Sequence, residues 1–388
     1  MALATRSKKS SASTNLKSTP MMRVLAAAVT ANVPAVLEGD PGQGKTAKIE
    51  NAAAQWGRHC ETIVGSSREA TDFLGVMAER EDGTIGYHPF QWTKRLNDAP
   101  KKGLKGLLFL DELNRSSDLT MNAMLRVLQE RTVGDTKLGD HVSIIAAMNP
   151  PESNAEVNEL SAAAANRMLH LKWVFDSKSW MENLATDFAE ASHEDLSMMT
   201  HDQPKDRMIR VGAEIAGFHN HDRTQLNPGV PDDPTQASRG WASPRSWHNL
   251  ARVASHLMPG DDEALAIAAE GLVGEGAANA YMAWRATADL IDPMVAMADP
   301  SAVDWSTRSD RLFVLVTSVG TIGLSDQDHW ADAMAVMVAC AANGKPDVAM
   351  PSATKLLNKI PSGASMPEGV RQHFGDLLNR TSRGVRTA

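Results

Sequence analysis

The chain has 388 residues, 43% of them hydrophobic and 22% charged, with 39 Lys and Arg against 47 Asp and Glu for a net charge of -8. These are ordinary values for a globular protein of roughly two or three domains, and they exclude a collagen-like, coiled-coil or wholly disordered chain. The acidic balance argues against a generic nucleic-acid coat, and two cysteines, Cys60 and Cys340, cannot build a disulfide framework and fit a reducing compartment.

Residues 1–19 are rich in Ser, Thr and Lys without an acidic residue, the composition of a disordered tail. Lys8, Lys9 and Lys17 ahead of the apolar run 24–29 imitate a secretory signal, but the basic region is too long and Arg23 abuts the run. A cytoplasmic protein whose first helix begins near Pro20 is expected. Residues 33–37, 62–64, 107–110 and 142–147 are short apolar runs bounded by turn or polar residues, which predicts buried strands. Between the last two, Met121, Met124, Leu125 and Leu128 recur at helical spacing. This alternation predicts an α/β domain over 20–175, a parallel sheet with helices on both faces. An Asp82-Gly83 turn within 79–85 suits a short hairpin. From 176 onward the strand signal stops and helices are expected to the end. A Pro-rich loop at 227–239 and a break at 292–300 divide this half into a helical subdomain, 176–288, and a helical C-terminal extension, 289–388. The most apolar stretch, 312–324, is interrupted by Thr, Ser and Gly, short of the roughly 20 apolar residues of a membrane span, and no membrane association is expected.

Gly39-Asp40-Pro41-Gly42-Gln43-Gly44-Lys45-Thr46 has the spacing G-x-x-x-x-G-K-T, directly after the run 33–37 and at the start of a helical segment near Lys45. Glycines let such a loop turn its N–H groups inward, and the helix N-terminus adds partial positive charge, so the element is suited to phosphates. Lys45 is placed to contact the β- and γ-phosphates of a nucleotide, and the Thr46 hydroxyl to ligate Mg²⁺. The run 107–110 ends in Asp111-Glu112, adjacent carboxylates at the carboxyl end of a strand, where open α/β sheets bind ligands. Asp111 suits the Mg²⁺ shell, and Glu112 suits the proton of an attacking water. Asn149 ends a further strand, where a polar amide can position that water near the γ-phosphate.

These residues resemble the AAA+ ATPases, and within them the MoxR family, over roughly residues 20–250. The stretch 108–115 resembles that family's D-E-(I/L)-N-R signature, here Asp111-Glu112-Leu113-Asn114-Arg115, followed by Leu125 and Glu130-Arg131. The resemblance makes Asn149 the sensor-1 asparagine and Arg167 the finger that reaches a neighbouring subunit's nucleotide. Ser243-Pro244-Arg245 looks like a sensor-2 motif opening a lid helix, so 176–288 becomes a helical lid. The hairpin at 79–85 looks like the family's insertion. The usual L-P-E-A-x-x-D-R-F is here Leu160-Ser161-Ala162-Ala163, then Asn166-Arg167-Met168, which leaves Arg115 and Arg131 as alternative trans-acting arginines. A guanidinium delivered from a neighbour would stabilise charge on the transferring phosphoryl group and couple hydrolysis to assembly.

The resemblance implies an ATP- and Mg²⁺-dependent chaperone-type motor, a hexameric ring acting on a partner protein with a von Willebrand factor A domain. The C-terminal extension resembles that of MoxR-like ATPases found beside such partners. The rival reading is a nucleic-acid-directed AAA+ ATPase, a loader or helicase component, motivated by the basic tail and by Lys94, Arg95, Lys101, Lys102 and Lys105. That cluster reads more simply as a solvated basic face. A GTPase is disfavoured because the nearest match to Asn-Lys-x-Asp, at Asn358, ends in Pro361. His219-Asn220-His221-Asp222 reads as a solvated turn and not a metal cluster. Trp241 and Trp247 read as packing anchors, and Met121 and Met124 as helix-packing filler.

Overall fold

The computed structural model describes residues 19–79, 81–150, 158–184, 204–288 and 290–384. Helix α1 (Pro20–Ala31) starts where expected, with Thr19 as its cap and Pro20 in the first turn, and ends on Asn32 in the left-handed region. Then follow β1 (Ala35–Glu38), α2 (Lys45–Gln55), β2 (Arg58–Val64), a hairpin of β3 (Val76–Glu79) and β4 (Ile85–His88), and α3 (Gln91–Asp98). The α/β part continues with β5 (Lys105–Asp111), α4 (Asp118–Glu130), a small hairpin of β6 (Thr132–Val133) and β7 (Thr136–Lys137), β8 (Val142–Met148), α5 (Ala162–Ala165) and β9 (Leu169–Lys172).

Strands β2, β5, β8, β1 and β9 form one sheet in that order, with every pairing parallel. The four expected strands are all present and the hairpin forms around Asp82-Gly83. Strand β9 carries only Leu169 and Leu171 as apolar residues and pairs with β1 alone, so it lacks the continuous apolar run of a central strand. The β6–β7 hairpin has two residues per strand, too short to show a pattern.

Successive residues of a strand serve opposite faces. Leu37, Phe109 and Ile145 pack with α1 and α2 in one core, whereas Val36, Leu108 and Ile144 pack with α3 and α4 in another. Met121 and Met124 lie in the second core as side-chain packing.

Beyond the sheet the described residues are helical: α6 (Ser177–Leu184), α7 (Pro204–His221), α8 (Pro234–Ala237), α9 (Pro244–Ala254), α10 (Asp262–Val273), α11 (Glu275–Ala288), α12 (Pro293–Ala298), α13 (Ser309–Ser325), α14 (Trp330–Ala342), α15 (Pro346–Leu357) and α16 (Val370–Gly384). Residues of α9, α10 and α11, including Leu250, Leu272 and Tyr281, share the first core with α1 and the sheet. A third core, built on Leu315, Trp330, Met337 and Phe374, unites α13 to α16. The turn expected at 219–222 is instead the last turn of α7. His219 is 8% exposed there, its ring meeting Trp247 edge-on at 4.6 Å, because the apolar face of α7 continues to its end. Among the described residues no helix is long and apolar enough to cross a membrane.

Candidate nucleotide site

The loop 39–44 joins β1 to α2 at the carboxyl edge of the sheet, where β5 ends in Asp111 and β8 leads into Asn149. Gly42 and Gly44 have φ of 79° and 73°, and a Cβ on either would meet nothing within 4 Å. Their place in the loop therefore follows from backbone conformation and leaves open space beside it. Gly39 is required for a different reason: a Cβ there would lie 2.6 Å from Trp173 Cβ. Trp173 follows β9, and its N–H donates to Glu38 O at 2.7 Å.

Lys45, 7% exposed, donates from Nζ to Gly39 O at 2.6 Å and to Asp40 O at 2.8 Å. Burial lowers its pKa, against the opposing pull of Asp111, Asp40 and Glu112. The first helical residues are thus an ammonium closing the loop and Thr46, whose hydroxyl donates to Asp111 Oδ2. Two oxygens that already touch across 65 residues of sequence are a donor set of the hard-oxygen kind that Mg²⁺ takes, and the open space at Gly42 and Gly44 suits a phosphate chain. The residues present fit ATP and Mg²⁺ in this respect.

Glu112 lies in the left-handed region, φ 52° and ψ 40°, an uncommon conformation for a non-glycine residue and one found at functional sites. Its surroundings hold it there. Its N–H donates to Asp111 Oδ1 at 2.9 Å, and its carboxylate accepts from the Ser66 hydroxyl and from Arg115 Nη1 at 2.9 Å. Arg115 is therefore engaged within its own subunit.

Asn114 is 1% exposed and joins the ends of two strands. Its Oδ1 accepts from Asn149 N–H at 3.0 Å and its Nδ2 donates to Asn149 O at 2.8 Å, fixing the backbone of Asn149, itself 6% exposed, beside Glu112.

The arginines are placed differently from one another. Arg131 is bound at the opposite edge of the sheet, donating to Gly139 O and Val142 O at the start of β8 and to Asn32 Oδ1. With about 3.3 Å per residue along seven-residue β8, it lies roughly 20 Å from its own chain's carboxylates, held there by three hydrogen bonds. Arg167 is half-buried at the end of α5 and donates to Ala163 O at 2.7 Å. Arg245 is exposed in the first turn of α9 and makes no hydrogen bond or ion pair among the described residues. The structure thus brings Lys45, Thr46, Asp111, Glu112 and the backbone of Asn149 together, and leaves Arg167 and Arg245 without contact to them. The basic residues at 94–105 are in part neutralised: Arg95 pairs with Glu61 and Lys101 with Asp98.

Three participants escaped the sequence reading. Ser66 holds Glu112, Asn114 holds Asn149, and Arg239 Nη2 donates at 3.0 Å to Glu38, the residue before the loop and only 9% exposed. Asn114 was visible within the D-E-L-N-R stretch; Ser66 and Arg239 carry no local signal.

Residues 34–168 match the family described as AAA domain, dynein-related subfamily. This stretch is an AAA domain of the ATPase kind, similar in sequence to MoxR. The chain is 29% identical over 152 residues to protein MoxR of Methylorubrum extorquens, covering 38% of this chain and 42% of that protein. It is 28% identical over 184 residues to midasin of Giardia intestinalis, covering 44% of this chain and 4% of that protein. The chain therefore spans less than half the length of either relative. Among solved structures, a candidate ATPase from Cytophaga hutchinsonii aligns at 19% identity with a TM-score of 0.38, over 66% of this chain and 81% of that one. In this AAA protein the matched stretch contains the loop, both carboxylates, Asn149 and Arg167, and it stops before the helices from α6 onward. AAA ATPases commonly form oligomeric rings.

Proposed function

We propose that this chain is a Mg²⁺-dependent ATPase motor, working as a hexameric ring in the cytoplasm, that remodels or assembles a partner protein. Residues 20–175 form its nucleotide-binding body, 176–288 its lid and 289–388 an extension that offers a surface to the partner. The observation that carries the reading is the convergence, at one edge of one sheet, of Lys45, the Thr46–Asp111 pair and a Glu112 held in the left-handed region.

In this reading the N–H groups of 39–44 and Lys45 bind the β- and γ-phosphates, with Lys45 leaving the carbonyls of Gly39 and Asp40 for phosphate oxygens. Thr46 Oγ1 and Asp111 would hold Mg²⁺, which when bound supplies charge neutralisation at the phosphate oxygens. Glu112 takes the proton of the attacking water, with Ser66 and Arg115 setting its position. Asn149 orients that water. Arg245 reads the γ-phosphate from the lid of the same subunit, and Arg167 stabilises the transition state in a neighbouring one. A partner with a von Willebrand factor A domain is the substrate the family resemblance favours.

The test is ATP hydrolysis per subunit as a function of protein concentration. Wild type is expected to gain specific activity as it assembles, and Arg167→Ala to lose it. Glu112→Gln should bind ATP and fail to turn over. A rate independent of concentration and untouched by Arg167→Ala would mean a self-contained site.

A further inference from the structure

The segment that carries Arg167 is hydrogen-bonded to the entry of the lid helix. Asn166, 3% exposed, sits directly before Arg167, and both ends of its amide are used. Its Nδ2 donates to Trp241 O at 2.8 Å, and its Oδ1 accepts from Ser243 Oγ at 2.7 Å. Ser243 is the N-cap of α9, with Ser246 N–H donating to its hydroxyl at 3.2 Å, and Arg245 stands two residues after that cap. A second bond runs the same way: Trp241 Nε1 donates to Ala162 O at 3.3 Å.

These four residues bridge 75 to 79 positions of sequence and leave little room for slip. Ser243 and Ser246 are 6% and 0% exposed, which shields the Asn166–Ser243 bond from water. Behind them the lid entry is wedged: a Cβ on Gly240 would stand 2.3 Å from Gly271 O in α10, and one on Gly271 would stand 2.1 Å from His170 O in β9. Such close backbone approach makes α5, β9 and the start of α9 one packed block.

We propose that Asn166 is a positioning residue that ties each subunit's trans-acting Arg167 to its own lid. The lid angle, set by the nucleotide that subunit holds, is thereby passed to the arginine it presents next door. This rests on the reading of Arg167 as a finger. The physical case is geometric. A half-buried arginine just past a four-residue helix has many rotamers, and a guanidinium displaced by about 1 Å can lose roughly 100-fold in rate. Asn166 removes that freedom through two hydrogen bonds made by one planar group.

Subunit mixing tests it. Arg167→Ala subunits keep a complete site of their own but donate no finger; Glu112→Gln subunits donate a finger but are silent themselves. Turnover in the mixture reports the donor's arginine acting on the acceptor's site. A Glu112→Gln donor is expected to restore turnover. A Glu112→Gln/Asn166→Ala donor is expected to restore it at least tenfold less well, through kcat, with the acceptor's KM for ATP unchanged. Within the donor, Ser243→Ala should act like Asn166→Ala, and Ser243→Thr, which keeps the hydroxyl for both cap and bond, should recover activity. ATP affinity and assembly size of each donor show that it is folded, and the Ser243→Ala and Ser243→Thr pair decides the matter should Asn166→Ala not fold.

Equal restoration by the Asn166→Ala donor would overturn the coupling while leaving the finger in place. No restoration by the plain Glu112→Gln donor would overturn the finger reading, and the coupling with it.

Discussion

Replacing Asn114 with Ala removes a side chain that bonds both the N–H and the C=O of Asn149 and so joins the ends of β5 and β8. The native amide makes two bonds, 3.0 Å from Asn149 N and 2.8 Å to Asn149 O, at a position 1% exposed. Alanine leaves one buried donor and one buried acceptor unpaired. At about 1–3 kcal/mol for each unsatisfied buried group, the expected loss is about 2–6 kcal/mol, with the centre near 4 kcal/mol. For a cooperative unit of 150–250 residues, about 2–4 °C per kcal/mol puts the midpoint of thermal unfolding roughly 8–16 °C lower. Asn149→Ala is the informative companion. It deletes a side chain but keeps the backbone N–H and C=O that Asn114 holds, so it should cost less than about 1 kcal/mol while lowering ATP turnover. The assay is the thermal midpoint of each variant without nucleotide, beside turnover below that midpoint. An Asn114→Ala midpoint within about 1 °C of wild type would refute the reasoning, because it would mean that solvent or a neighbour replaces both bonds.

His170 is half-buried and hydrogen-bonded to Ala165 O, and desolvation of its ring lowers its pKa from 6.5 to about 4. A histidine that resists protonation when folded contributes stability that is complete above pH 6.5 and lost as pH falls toward 4, about 3 kcal/mol across that window. Denaturation midpoints measured from pH 7 to 4 should therefore fall more steeply in wild type than in His170→Gln. Gly39→Ala forces a Cβ to 2.6 Å from Trp173 Cβ. With strain of about 1–3 kcal/mol, ATP binding measured by titration should weaken about tenfold, and Trp173→Gly should recover part of it. Arg131→Ala should lower stability by about 2–4 kcal/mol through the loss of three part-buried hydrogen bonds, with turnover per folded subunit unchanged. A collapse of turnover in folded Arg131→Ala would instead assign the trans-acting role to Arg131.

The central strands were legible because β5 and β8 are covered on both faces. That demands a continuous apolar run, visible at 107–110 and 142–147. Helix α1 was legible from Pro20 and the apolar residues behind it, and the β3–β4 hairpin from its Asp-Gly turn. Strand β9 was not, because an edge strand of four residues needs apolar side chains only toward the core. His219 reads as part of a loop because a His-Asn-His-Asp stretch looks polar, whereas the ring meets Trp247 edge-on from the far end of α7.

The loop at 39–46 and the carboxylates at 111–112 are local statements. Phosphate binding needs contiguous N–H groups and a helix start, and a strand end brings Asp and Glu side by side, so a few neighbouring residues carry the whole signal. By itself the sequence determined the parallel sheet, the nucleotide loop and the resemblance they support. The tertiary structure alone decided what holds these parts in register: Ser66 on Glu112 across 46 residues, Asn114 on Asn149 across 35, Asn166 on Ser243 across 77, and Arg239 on Glu38 across 201. The physical reason is common to all of these. A hydrogen bond needs its atoms within about 3 Å, and only the packing of strands and helices brings residues that far apart in the chain to such a distance.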